Sequence, residues 1–253
     1  MLADEFLSTP LAHRALHDVR DGRPENSLAA IRAAMARGYG IEIDLQLSRD
    51  GQAMVFHDDR LDRLTGAVGP VRQKTAAELA GIVLSGGKEG VPRFAEVLAL
   101  VAGQVPLLVE IKDQDGALGP NVGTLEAAAA EAVRGYGGPL AFMSFNPESV
   151  AAMSRLAPGV PRGIVTEEYS AGEWPQLRAE TRDRLREIPD YDRVGASFIS
   201  HHASDLGRAR VAGLKAAGAS VLCWTVRSPQ EEAEARKVAD NVTFEGYLAK
   251  PGR

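Results

Sequence analysis

Residues 38–59 read GYGIEIDLQLSRDGQAMVFHDD, and the fold turns on how this stretch is taken. Ile41, Ile43, Leu45 and Leu47 alternate with Glu42, Asp44, Gln46 and Ser48, the period of a β-strand. Asp50-Gly51 has the chemistry of a hairpin turn, and AMVFH (53–57) follows as the returning arm. On an edge strand the polar face would simply be wet. On a strand covered from both sides, two carboxylates on one face need a chemical reason.

Outward from this stretch, short β-prone runs alternate with alanine-rich amphipathic ones. The runs at 11–15, 40–47, 106–112, 139–145, 162–166, 194–200, 219–226 and 241–246 make eight strands, with the hairpin arm standing outside the count. Between the first two lies SLAAIRAAMARG, where Leu28, Ile31 and Met35 share a face, Asn26 or Ser27 caps the start, and Gly38 ends the helix. Eight alternating β and α units in 253 residues predict an α/β fold, a (β/α)8 barrel forming a single domain over 1–253. A doubly wound open sheet is the competing architecture. The short stretch between His57 and Glu110 leaves room for no more than a rudimentary insertion.

Composition narrows the function. With 45% hydrophobic and 25% charged residues the chain can bury a sizeable core, and a net charge of -5 without a basic block argues against nucleic acid as a partner. The start, MLADEFLSTPLAHR, has neither a basic opening nor a long apolar run. Neither a secretory signal nor membrane insertion is expected, and the cytoplasm is the default location. Cys223 stands alone within apolar SVLCWTV, so it reads as a small buried side chain and excludes an internal disulfide.

In such a barrel, reactive groups project from the C-terminal ends of strands. There the sequence places His13-Arg14, then Glu42 and Asp44, then Glu110 and Lys112, while the hairpin arm brings His57-Asp58. Three carboxylates in a covered sheet need protons, cations or a metal, and oxygen ligands suit Mg²⁺ or Ca²⁺. Arg14 and Lys112 are suited to phosphate oxygens, His13 and His57 to moving protons. Singly, each pair also fits a wet edge, a surface pair or a buried ion pair; their convergence points to a site.

The order His13-Arg14, Pro24-Glu25-Asn26-Ser27, Glu42-x-Asp44, Asp50-Gly51, His57-Asp58 and Leu61 to Thr65 resembles the glycerophosphodiester phosphodiesterases, and EIK (110–112), SF (144–145) and WTV (224–226) continue the match. The resemblance implies a phosphatidylinositol-phosphodiesterase-like TIM barrel that uses a divalent metal to hydrolyse small glycerophosphodiesters to sn-glycerol 3-phosphate and an alcohol. It implies Glu42, Asp44 and Glu110 as metal ligands, His13 and His57 as acid and base, and Arg14 and Lys112 as phosphate contacts. Trp224 and Phe145 would line the substrate pocket, or else pack the core.

Three departures stand out. Ala15 replaces the usual glycine after His-Arg, which strains the first loop if a positive φ is required there. LHDVRDGR lengthens the loop before Pro24, and its His17 either reaches the site or, as the preferred reading, is an exposed loop residue. FEG (244–246) replaces an Ile-Thr-Asp type ending, so that Glu245 either takes over that acid or faces solvent. Alternatives are a lysophospholipase D type activity on lipid-like diesters, a catalytically silent phosphodiester-binding barrel, and an unrelated sugar-phosphate isomerase barrel. The sequence leaves the oligomeric state open.

Overall fold

A computed structural model describes residues 1–250. Strands β1 (Leu11–Ala12), β2 (Gly40–Leu47), β3 (Ala53–Val55), β4 (Leu107–Ile111), β5 (Leu140–Ser144), β6 (Arg162–Thr166), β7 (Phe198–His202), β8 (Ser220–Val226) and β9 (Asn241–Phe244) form one sheet. All except β3 pair in parallel in the order β1-β2-β4-β5-β6-β7-β8-β9, and β9 returns to β1. Leu11 sits beside Gly40 on one side and Thr243 on the other, so the ring is closed. That closure rejects the open sheet and gives the eight-stranded barrel. β3 lies outside the ring as the antiparallel arm of β2, with Leu45 opposite Val55.

Alternation along β2 now has a cause. Ile41, Ile43 and Leu45 point outward into the layer between barrel and helices, against Ala30, Ile31 and Ala34 of helix Leu28–Ala36. Glu42, Asp44 and Gln46 are therefore on the inner side, and they too are buried. The barrel interior has its own core of Leu11, Leu108, Ala141, Met143, Val165, Phe198 and Leu222. Phe198 lies over Gly163, where an added Cβ would come within 2.4 Å of its ring.

The N-terminal end of the barrel is plugged by the chain that precedes β1. Helix Glu5–Ser8 puts Phe6, 0% exposed, into the interior core together with Leu2. Asn241 Nδ2 at the start of β9 donates to the carbonyls of Phe6 (2.8 Å) and Thr9 (2.6 Å), fixing the plug. Between β3 and β4 the chain makes a rudimentary insertion with a separate small core of Met54, Phe56, Leu61, Val71, Leu79, Leu84 and Val91.

Three strands of the ring depart from the expected extents by two residues or more at one end. β1 ends at Ala12, because Arg14 and Ala15 take φ of +51° and +66°, the left-handed conformation that terminates a strand. β7 runs 198–202 and not 194–200, because Val194 donates back to the Asp190 carbonyl and Gly195 has φ +61°. β9 stops at Phe244, just before Glu245 and Gly246 (φ +77°). Among the described residues, no helix is long and apolar enough to cross a membrane. Cys223 is buried, and burial pushes its thiol up to about 12.

Candidate active site

Pairing of β2 with β4 sets Asp44 beside Glu110, and Glu42 stands one pleat below. The three carboxylates are each less than a tenth exposed, and one oxygen from each lies within 4.8 Å of the others. Lys112 Nζ bridges Asp44 Oδ1 (2.8 Å) and Glu110 Oε1 (2.7 Å). Among the described residues, Glu42 has only the backbone N–H of Arg14, at 2.9 Å from Oε2. Electrostatics divides the carboxylates accordingly. Burial, together with the charges of Asp44 and Glu110, lifts the Glu42 carboxyl well above its ordinary range. Burial also acts upward on Asp44, but Lys112, His57 and Arg14 outweigh it and hold Asp44 low.

The turn after β1 delivers the next residues. Its positive φ values aim the Arg14 N–H at Glu42, while Arg14 Nη1 reaches Glu25 Oε1 at 2.8 Å. Ala15 does occupy the conformation for which glycine is the unstrained choice. Arg14 Nε is buried without a hydrogen-bond partner among the described residues, 3.8 Å from Asp44 Oδ2. Ser27, and not Asn26, caps the following helix by accepting from the Ala30 N–H. Asn26 is wholly buried at φ +58° and donates through Nδ2 to Asp44 Oδ2 at 2.9 Å.

His57 comes back along the hairpin, and its setting is built by residues without a role in the sequence reading. Gln46 Nε2 donates to the His57 carbonyl at 3.0 Å. His57 Nδ1 contacts Asp58 Oδ1 at 2.6 Å, Arg63 binds Asp58 at 2.7 Å, and Arg63 also binds Glu25. An ion-pair chain thus runs Arg14–Glu25–Arg63–Asp58–His57. Glu25, Asp58 and Arg63 all stand within motifs visible in the sequence, but nothing local pairs Arg63 with the two acids.

His13 is the counterpart across the mouth. Its Nδ1 meets Glu245 Oε2 at 2.6 Å, so Glu245 faces the site and not open water. Glu245 also binds Arg227 Nε at 2.8 Å through its other oxygen. His17 corrects the expectation of an exposed loop residue: its side chain is 25% exposed, with Nε2 3.6 Å from Glu245 Oε2. The longer loop is what brings it there, a consequence of chain path that no local pattern encodes. Burial lowers the His13 pKa and Glu245 only partly opposes it, whereas the hydrogen bond from His13, with His17 close by, holds Glu245 far below an ordinary glutamate.

These groups enclose a cavity of about 130 Å³ walled by His13, His57, Glu42, Glu110, Phe145 and Trp224. Trp224 Nε1 donates to the Ser200 carbonyl at 3.0 Å, and its ring meets Phe145 edge-on at 5.5 Å between centroids. Both aromatics therefore line the cavity and pack at once. All nine expected site residues are gathered at this one end of the barrel. Arg227, which the sequence did not single out, joins the same wall.

Such a cavity, with Arg14, Lys112 and Arg227 converging on it, suits an anion. It sits at the strand ends where barrel enzymes carry their chemistry, and this protein belongs to the class of barrel hydrolases acting on phosphoric diesters. Residues 13–242 match the glycerophosphoryl diester phosphodiesterase family, and the chain is a member of it. YhdW of Bacillus subtilis (strain 168) is 26% identical over 242 residues, covering 91% of this chain and 93% of its own. A glycerophosphodiester phosphodiesterase of Caldanaerobacter subterraneus subsp. tengcongensis is 35% identical over 153 residues, covering 56% of this chain and 61% of its own. The solved phosphodiesterase of Oleispira antarctica, in complex with the product sn-glycerol-3-phosphate, superimposes with a TM-score of 0.75 at 26% identity, over 97% of this chain and 95% of its own.

Proposed function

We propose that the chain hydrolyses small glycerophosphodiesters to sn-glycerol 3-phosphate and an alcohol, with Glu42, Asp44 and Glu110 holding a divalent cation, Mg²⁺ or Ca²⁺. The observation that carries this reading is the buried carboxylate triad set between two histidines, each held at Nδ1 by an acid. The donor set fits a hard cation: all three groups offer oxygen, and Glu42 has no cation of its own within ion-pair distance among the described residues. When bound, such a cation supplies positive charge against the phosphate oxygens and so favours the more negative transition state.

The chain's own residues do the rest. Arg14 Nε is a spare buried donor for a phosphate oxygen, and Lys112 keeps a third N–H beyond its two carboxylates. His13 and His57 are the proton-transfer pair. One takes the proton of the glycerol 2-hydroxyl as its oxygen attacks phosphorus; the other protonates the alcohol oxygen as its bond to phosphorus breaks. Water then opens the resulting cyclic phosphate with the two roles exchanged. Glu245 and Asp58 occupy Nδ1 of each ring and so fix the tautomer, leaving Nε2 to face substrate. Trp224 and Phe145 wall the glycerol side. A cavity of about 130 Å³ favours a deacylated diester over one that carries an acyl chain.

Release of sn-glycerol 3-phosphate from glycerophosphocholine tests this. Exhaustive chelation by EDTA should abolish it, and Mg²⁺ or Ca²⁺ should restore it. Full activity after chelation would sink the cation assignment, and the absence of product from any glycerophosphodiester would sink the hydrolysis itself.

A further inference from the structure

A second, larger cavity of about 730 Å³ opens beside the first, and His57, Glu110, Lys112 and Phe145 stand in the wall of both. Its far side is built differently from the rest of the mouth. Trp174 and Phe145 form an aromatic wall, with ring centroids 5.1 Å apart and planes tilted by 55°. The lining of the same cavity includes Asp59, Asp113 and Asp115. Elsewhere at the mouth most acids have a cation: Glu25 has Arg14 and Arg63, Asp58 has Arg63, Glu110 has Lys112, and Glu245 has Arg227. Asp59, Asp113 and Asp115 have no cation within 4.0 Å among the described residues. Asp113 and Asp115 accept instead from neutral donors, Asn146 (2.7 Å) and Asn121 (2.9 Å). Among the described residues, the lysine and arginine side chains of this wall are Arg72 and Lys112, the latter engaged by Asp44 and Glu110.

We propose that this groove is the subsite for the departing alcohol and that it selects alcohols bearing an ammonium group, above all a quaternary one of the choline type. The inference rests on the hydrolytic reading above. Aromatic faces attract a weakly hydrated cation through the negative face of the ring, and unpaired carboxylates beside them hold it there. A diester whose phosphate lies between His13 and His57 passes its alcohol beyond His57 into this groove, with the glycerol left in the smaller cavity.

The test compares kcat/KM for glycerophosphocholine and glycerophosphoglycerol in the wild type, in Trp174→Leu and in Asp59→Asn/Asp115→Asn. The wild type should prefer the choline ester. Trp174→Leu should lower that preference by about five- to thirtyfold, the range expected for removing one cation–π contact. The double variant, which changes only exposed carboxylates, should lower it in the same direction, with turnover of the glycerol ester retained. Equal kcat/KM for the two esters in the wild type, or a preference that both variants keep, would overturn the subsite while leaving the hydrolytic function intact. Failure to cleave either ester would instead bring down the hydrolytic reading. Lysophosphatidylcholine offers the same head group on an acylated glycerol. Its cleavage would support the subsite with lipid as the source, and cleavage of glycerophosphocholine alone would support it with the deacylated diester as the source.

Discussion

Replacing Glu245 by glutamine separates what its charge does from what its shape does. Glutamine keeps an oxygen that can accept from His13 Nδ1, but it removes the anion that stands 2.6 Å from the ring. Turning a charge-assisted hydrogen bond into a neutral one loses about 1–1.5 kcal/mol, roughly tenfold in the equilibrium it governs. Loss of the pair with Arg227, whose side chain is 58% exposed, adds little. Burial already lowers the His13 pKa, and Glu245 is the largest influence opposing it. In Glu245→Gln that opposition weakens, so His13 binds its proton less tightly still. A kcat/KM profile against pH reads the outcome. If His13 works as the base, the acid limb moves to lower pH and activity persists further into acid. If it works as the acid, the basic limb moves to lower pH and the rate at neutral pH falls about tenfold. A profile in which neither limb moves would refute the coupling of Glu245 to His13.

Asn26→Ala removes the donor to a wholly buried Asp44 oxygen and leaves alanine at φ +58°. The loss should be about 2–4 kcal/mol, a drop in Tm of roughly 5–15 °C; a thermal melt within a degree of wild type would contradict it. Phe6→Ala empties the plug at the N-terminal end of the barrel. It should cost about 3–5 kcal/mol in denaturant unfolding, and a loss below 1 kcal/mol would show that the plug closes the barrel without stabilising it.

The strand that decides the fold could be read almost to the residue, because its two faces meet different environments. Ile41, Ile43 and Leu45 meet helices, while Glu42 and Asp44 meet the site, so burial on both sides still leaves an alternating pattern. β7 was harder. Its inner and outer residues run on through His201 and His202, whose polarity hid the strand, while apolar Val194 lies in the turn ahead of it. The site residues borne on strand ends came together as their spacing suggested. The pairings that orient them are not legible in the sequence, because Arg63 reaches Glu25 across 38 residues, and Glu245 reaches His13 across 232. Local periodicity carries no information on such pairs. Glu245 is distinguished in the sequence by its place in FEG, where the family pattern has a different ending.

The small core beneath the insertion between β3 and β4 has a further consequence. His57, Asp58 and Arg63 ride on a segment whose apolar contacts are largely its own, whereas His13, Glu42, Asp44 and Glu110 are rooted in the barrel. The two halves of the site thus answer to different cooperative units, and segments of this kind open at lower free energy than the core strands. Opening of the insertion removes one histidine and unlocks the ion-pair chain while the carboxylate triad stays assembled. Under the proposed function, loss of catalysis and loss of cation binding are therefore separable, set by two different packing energies.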